Sequence, residues 1–171
     1  MDSVTTLVMS LMIWISQATG WAVPDAPKIE HKTQAQLVRI AYECDLKITE
    51  ENNFVCKSTD EMIDKEDAIL KPLALYDTIK EIIYLPAKWN PDNIKDQSIL
   101  LHELVHYMQW KNKIYRKQYG CRAETEKEAY DLQEKFLAES GMDLHKTLPL
   151  GHLLRFMLTS CSSVMYYGAT E

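Results

Sequence analysis

One short stretch constrains this chain more than any other. Ser98-Ile-Leu-Leu-His102-Glu103-Leu-Val-His106-Tyr-Met-Gln-Trp110 places two histidines and a glutamate inside an almost continuous apolar run. Residues four apart on a helix lie about 40° from eclipsed, so His102 and His106 point the same way, one turn apart. Two imidazoles at that separation can both reach one Zn²⁺. Glu103 falls beside such an ion rather than on it, placed to take a proton from water that zinc makes acidic. Asp96, Gln97 and Ser98 offer capping chemistry before the run. Ile99, Leu100, Leu101, Leu104, Val105 and Met108 leave few polar positions, which predicts a helix buried nearly all round. Polar groups inside such a helix are costly unless satisfied, and a metal would satisfy them. The plainer alternative is two helix histidines paired with backbone or carboxylate.

A three-ligand site needs one more protein group. His31, His145 and His152 sit in no ligand-like pattern and read as surface or core residues. The segment 121–141 offers Glu124, Glu126 and Glu128, which fan around a helix and cannot all face one point. Ala129 lies three residues after Glu126, on the same face, where a small residue admits a neighbouring helix. Glu126 is therefore preferred, with Glu124 and Glu128 as the alternatives.

These residues resemble the gluzincin class of zinc metallopeptidases. His102-Glu103-Leu104-Val105-His106, followed further on by Glu126-Lys127-Glu128-Ala129, is similar to its paired motifs, over roughly residues 80–140. The likeness is to small single-domain members and small exported bacterial proteins. It implies an α+β, minimal zincin-like domain: a small β-sheet packed on the active-site helix and a following glutamate-bearing helix, plus terminal helices. It implies His102, His106 and Glu126 as Zn²⁺ ligands and Glu103 as general base. Where the class often carries Asp four residues after the glutamate ligand, this chain has Tyr130. Tyr130 can donate a hydrogen bond to a ligand histidine or to a substrate oxyanion, which makes it a second catalytic candidate. Asp131 is the other orienting candidate, though it points about 100° away.

The implied activity is a zinc-dependent hydrolase, a metalloendopeptidase acting on a peptide or protein substrate. The alternatives are an inactive zincin-like binding domain and a zinc hydrolase of cell-wall or other amides. The net charge of −6 and the lack of a long basic run argue against a nucleic-acid partner.

Residues 1–22 read as an export signal or N-terminal anchor, and 23–171 as one domain. Leu7 to Ile15 is almost wholly apolar but short for a bilayer, and Ser16, Ala18 and Ala22 are small residues suited to cleavage. The start carries Asp2 and no basic residue, unlike most signals. No stable membrane span is expected after processing, and the expected location is secreted or periplasmic. Four cysteines after such a segment predict two disulfides, Cys44–Cys56 and Cys121–Cys161 being the favoured pairs.

Along the rest of the chain, Ala22 to Pro27 reads as a linker. Thr33 to Leu46 has a helical stripe of Leu37, Ile40, Ala41 and Cys44. Asp45 to Lys57 resembles a weak hairpin, and Asp60 to Lys71 a short helix. Pro72 to Pro86 predicts two strands joined at Asp77-Thr78-Ile79-Lys80. The second strand, ending near Tyr84, is expected to offer a free edge to substrate. Tyr84 and Trp89 read as packing residues. Cys121 to Gly141 is a long helix stopped by Gly141, Asp143 to Leu150 a loop, and Leu153 to Leu158 a buried terminal helix or packed arm.

Overall fold

The computed structural model describes residues 3–43, 72–114 and 120–161. The expected hairpin in 45–57, the short helix in 60–71 and the Cys44–Cys56 pair lie outside them. Among the described residues the protein is an α+β domain of six helices and one three-stranded mixed sheet: α1 (Ser3–Thr19), β1 (Lys28–Lys32), α2 (Gln34–Glu43), β2 (Leu75–Asp77), β3 (Ile82–Pro86), α3 (Ile94–Lys111), α4 (Arg122–Glu139), α5 (Leu144–Thr147) and α6 (His152–Thr159).

Everything is arranged around α3. Its Leu100, Leu101, Leu104, Val105 and Met108 are fully buried. Each such side chain contributes about 1.5–3 kcal/mol by leaving water. The helix starts earlier than its apolar run, because Asn93 is the cap and its side chain accepts from the amides of Lys95 and Asp96. Asp96, Gln97 and Ser98 have other tasks. The Asp96 carbonyl takes the Trp89 indole N–H at 2.7 Å and its carboxylate the Asn90 amide at 2.8 Å. The Gln97 amide donates to the Pro91 carbonyl, so the entry loop is fastened to the first turns of the helix.

The sheet order is β1-β3-β2, with β1 parallel and β2 antiparallel to β3. Asp77 holds the β2–β3 turn by accepting from the amides of Ile79 and Lys80. The free edge expected on the strand near Tyr84 is not there. β3 is the central strand, paired on one side with β1, a segment whose alternation of charged residues hid it from the sequence reading. Among the described residues the edge strands are β1 and β2. Tyr84 and Trp89 are buried, as packing residues.

α1 covers a further face of α3 and buries Val8, Leu11, Met12 and Ile15. The segment after it is pinned rather than free. Asn112, which caps the end of α3, both accepts from the Ala22 amide and donates to the Ala22 carbonyl, each at 3.0 Å. The Tyr107 hydroxyl donates to the Asp25 carbonyl at 2.6 Å. No helix among the described residues is long and apolar enough to cross a membrane.

α4 packs on α3 with Ala129 fully buried, consistent with the close approach a small residue allows. It ends in a Schellman turn: Gly141 has φ +72°, its amide donates to Ala138 and that of Met142 to Leu137. The Cys121–Cys161 disulfide ties the residue capping α4 to the end of α6, with Cα atoms 6.0 Å apart. α6 is the expected terminal helix, packed on the core but not buried. Leu154 and Leu158 face the core, but Leu153 and Phe156 are 73% and 66% exposed. A single short helix on the surface has only one inward stripe, and Arg155 fixes its rotation by pairing with Asp131 and Glu134 on α4. Within the expected loop 143–150, Asp143 caps the one-turn α5.

Candidate metal centre

α3 presents His102 and His106 on the face that meets α4, and α4 brings Glu126 to them. The two Nε2 atoms are 3.2 Å apart, and Glu126 Oε2 lies 3.4 Å from each. The three atoms form a nearly equilateral triangle at the helix junction. This His102/His106/Glu126 group could hold a metal ion. The two rejected acids are occupied elsewhere. The Glu124 carboxylate accepts the Gly120 amide at the start of its own helix, and that of Glu128 accepts from Gln109.

Glu103, one residue along from His102, is buried, 9% exposed, within electrostatic reach of both histidines and Glu126. Burial pushes its pKa up, against the pull of His102 and His106 and of a hydrogen bond from the Tyr76 backbone in β2. Glu126 stands in the opposite state. Burial works against its charge, but the two histidines hold it well below the ordinary carboxylate range. Burial also opposes charge on His106, yet the Glu126 carboxylate beside it raises its pKa to about 9. The cluster therefore favours a positive charge at its centre.

Tyr130 lies one turn beyond Glu126, its ring centroid 4.5 Å from that of His102. Burial, then the nearby Glu126 and Glu103 charges, raise its pKa, so the hydroxyl keeps its proton and is a donor. Asp131 does not orient a histidine. It points outward and pairs with Lys127 and Arg155. That task falls to two glutamines that the sequence reading passed over. Gln133 Oε1 is 3.2 Å from His102 Nδ1, and Gln109 Oε1 is 3.0 Å from His106 Nδ1. Both glutamines are almost wholly buried. Their positions carried a signal. Gln109 follows His106 by three residues and Gln133 follows Glu126 by seven, so each shares a helix face with a ligand candidate. The other histidines are not part of this group: His31 packs on Trp89, and the rings of His145 and His152 are in contact.

A family model described as a domain of unknown function, DUF6647, matches residues 48–148, more than half of the chain. The chain belongs to the DUF6647 family. The DUF6647 match contains β2, β3, α3, α4 and α5, and with them every residue of the cluster. No curated protein and no solved structure matches the chain.

Proposed function

We propose that this DUF6647 protein is an exported zinc-dependent hydrolase of the zincin-like kind, acting on peptide bonds. The observation that carries the proposal is the triangle of Nε2, Nε2 and Oε2 atoms, with edges of 3.2, 3.4 and 3.4 Å. Zinc–ligand bonds of about 2.0–2.1 Å in a tetrahedron put the ligand atoms about 3.3–3.4 Å apart. Three protein ligands leave one position open, the arrangement of a catalytic rather than a structural zinc site. Zinc held there supplies Lewis acidity towards a carbonyl oxygen and makes water acidic near neutral pH.

The chain's own residues perform the proton transfers. Glu103, with a carboxyl pKa raised by burial, accepts the proton of the attacking water and passes it to the leaving amine. The Tyr130 hydroxyl, held protonated beside His102, donates to the developing oxyanion. An extended substrate lies along β2, the edge strand among the described residues whose Tyr76 backbone reaches Glu103, and not along the central β3. The Cys121–Cys161 bond agrees with an oxidising compartment.

Elemental analysis of the purified protein, with and without His106→Ala, paired with a peptide-library digest read by mass spectrometry, tests this reading. One zinc per chain, lost in His106→Ala, with cleavage by the native protein alone, is the expected result. Zinc without cleavage of any peptide removes the peptidase assignment and leaves an idle or amide-directed site. Absence of zinc overturns the proposal.

A further inference from the structure

The hydrogen bonds behind the two histidines have a direction, and the direction can be traced from atoms whose role is not in doubt. Behind His102 the chain begins at the Lys95 carbonyl, which can only accept. It takes the Ser98 hydroxyl proton at 2.7 Å. With its proton committed, Ser98 Oγ accepts from Gln133 Nε2 at 3.3 Å. The Gln133 amide is thereby oriented with Oε1 towards His102 Nδ1, 3.2 Å away. An amide oxygen only accepts, so Nδ1 carries the hydrogen.

Behind His106 a separate chain reaches the same end. Gln109 Nε2 donates to the Thr125 carbonyl and to Glu128 Oε2, each at 3.1 Å. Its Oε1 then faces His106 Nδ1 at 3.0 Å and can only accept from it. The two relays share no residue, although each spans α3 and α4.

We propose that Gln133 and Gln109 are positioning residues that keep Nδ1 of His102 and His106 protonated and turned away, so that both Nε2 atoms meet the Glu126 carboxylate around a place for a cation. This rests on the metal reading above and adds to it what prepares the ligands. Neutral amides take the place in which ligand histidines more often have a carboxylate. They orient the rings without adding negative charge, so Glu126 alone supplies the anionic ligand. The two relays also differ in what they tolerate. A carboxylate at 133 can accept from both His102 and Ser98, because the serine hydroxyl can rotate away from Lys95. A carboxylate at 109 would face the Thr125 carbonyl and Glu128, two acceptors.

Zinc affinity is measured by competition with a chromophoric chelator, and imidazole tautomers by long-range ¹H–¹⁵N correlation in the zinc-loaded full chain. The native protein shows two Nδ1–H imidazoles. Gln133→Leu and Gln109→Leu each weaken zinc binding about 10–100-fold, as loss of an orienting group does elsewhere. Gln133→Glu restores affinity and Gln109→Glu does not. Ser98→Ala, which removes one hydroxyl and little packing volume, weakens binding less than Gln133→Leu and serves if the leucine variant fails to fold. Native zinc binding with Nε2–H imidazoles, or with affinity unchanged in Ser98→Ala and both leucine variants, overturns the proposal and leaves the metal site standing. A native protein that binds no zinc overturns both.

Discussion

His106 and Glu126 face each other from different helices, Nε2 to Oε2 at 3.4 Å, with the His102 imidazole alongside. The pair is half-buried at the α3–α4 junction, so its charge state affects stability as well as metal binding. His106 is raised to about 9 from 6.5. Its stabilising contribution is full below 6.5 and is lost as pH rises through about 9. Glu126 is lowered, so its contribution is present above 4.5 and lost as pH falls through its depressed value. Glu103 is raised by burial, so its ionisation costs stability above 4.5. Metal-free protein is therefore expected to lose thermal stability between pH 6.5 and about 9. Added zinc should stabilise more as pH rises over that range, because the metal competes with the His106 proton. Melting temperatures of chelator-treated and zinc-loaded protein against pH check this. A flat metal-free profile would contradict it, and Glu126→Gln should flatten it.

Glu103→Gln should keep zinc and lower peptide hydrolysis about 10²–10⁴-fold, the usual contribution of a general base. It should also leave stability at pH 8 equal or higher, since burial disfavours the charge of the native carboxylate. Steady-state kinetics, metal content and urea melts of the one variant separate these effects. Hydrolysis at the native rate would remove Glu103 from the mechanism.

The Cys121–Cys161 bond closes a sequence separation of 40 residues around α4 and α6. Replacing both cysteines by serine should cost about 2–4 kcal/mol in urea unfolding, through the freedom returned to the unfolded chain. Because Cys121 caps α4 without a side-chain hydrogen bond, the first turns of that helix should show the largest gain in amide exchange. Uniform exchange across α4 would show that the bond does not hold the turn leading to Glu126.

Met12 is completely buried in the contact between α1 and the core. Met12→Ala in the full chain should destabilise by about 2–5 kcal/mol, as deletion of a buried side chain does. Unchanged urea unfolding would mean that α1 is not part of the cooperative unit.

Local rules made much of this protein legible in advance. The i, i+4 spacing of His102 and His106 needs only helix geometry, and the apolar run around them foretold a buried α3. Gly141 stops α4 because its φ of +72° suits a residue without Cβ. The turn at Asp77 and the long helix carrying Glu126 followed from residue types in short windows. Ala129 pointed to the face on which α4 approaches.

Contacts between distant segments were beyond such rules. β1 has no apolar alternation of its own and exists through hydrogen bonding to β3, which then has no free edge. Asp131 and Gln133 are near neighbours on α4. Only the packing of α6 turns one outward to Arg155, and only the approach of α3 brings the other to His102. A helix sequence specifies which residues share a face. Which partner that face meets depends on where the rest of the chain buries its apolar surface, and here that placement selects Glu126 over its neighbours and enlists two glutamines to orient the histidines.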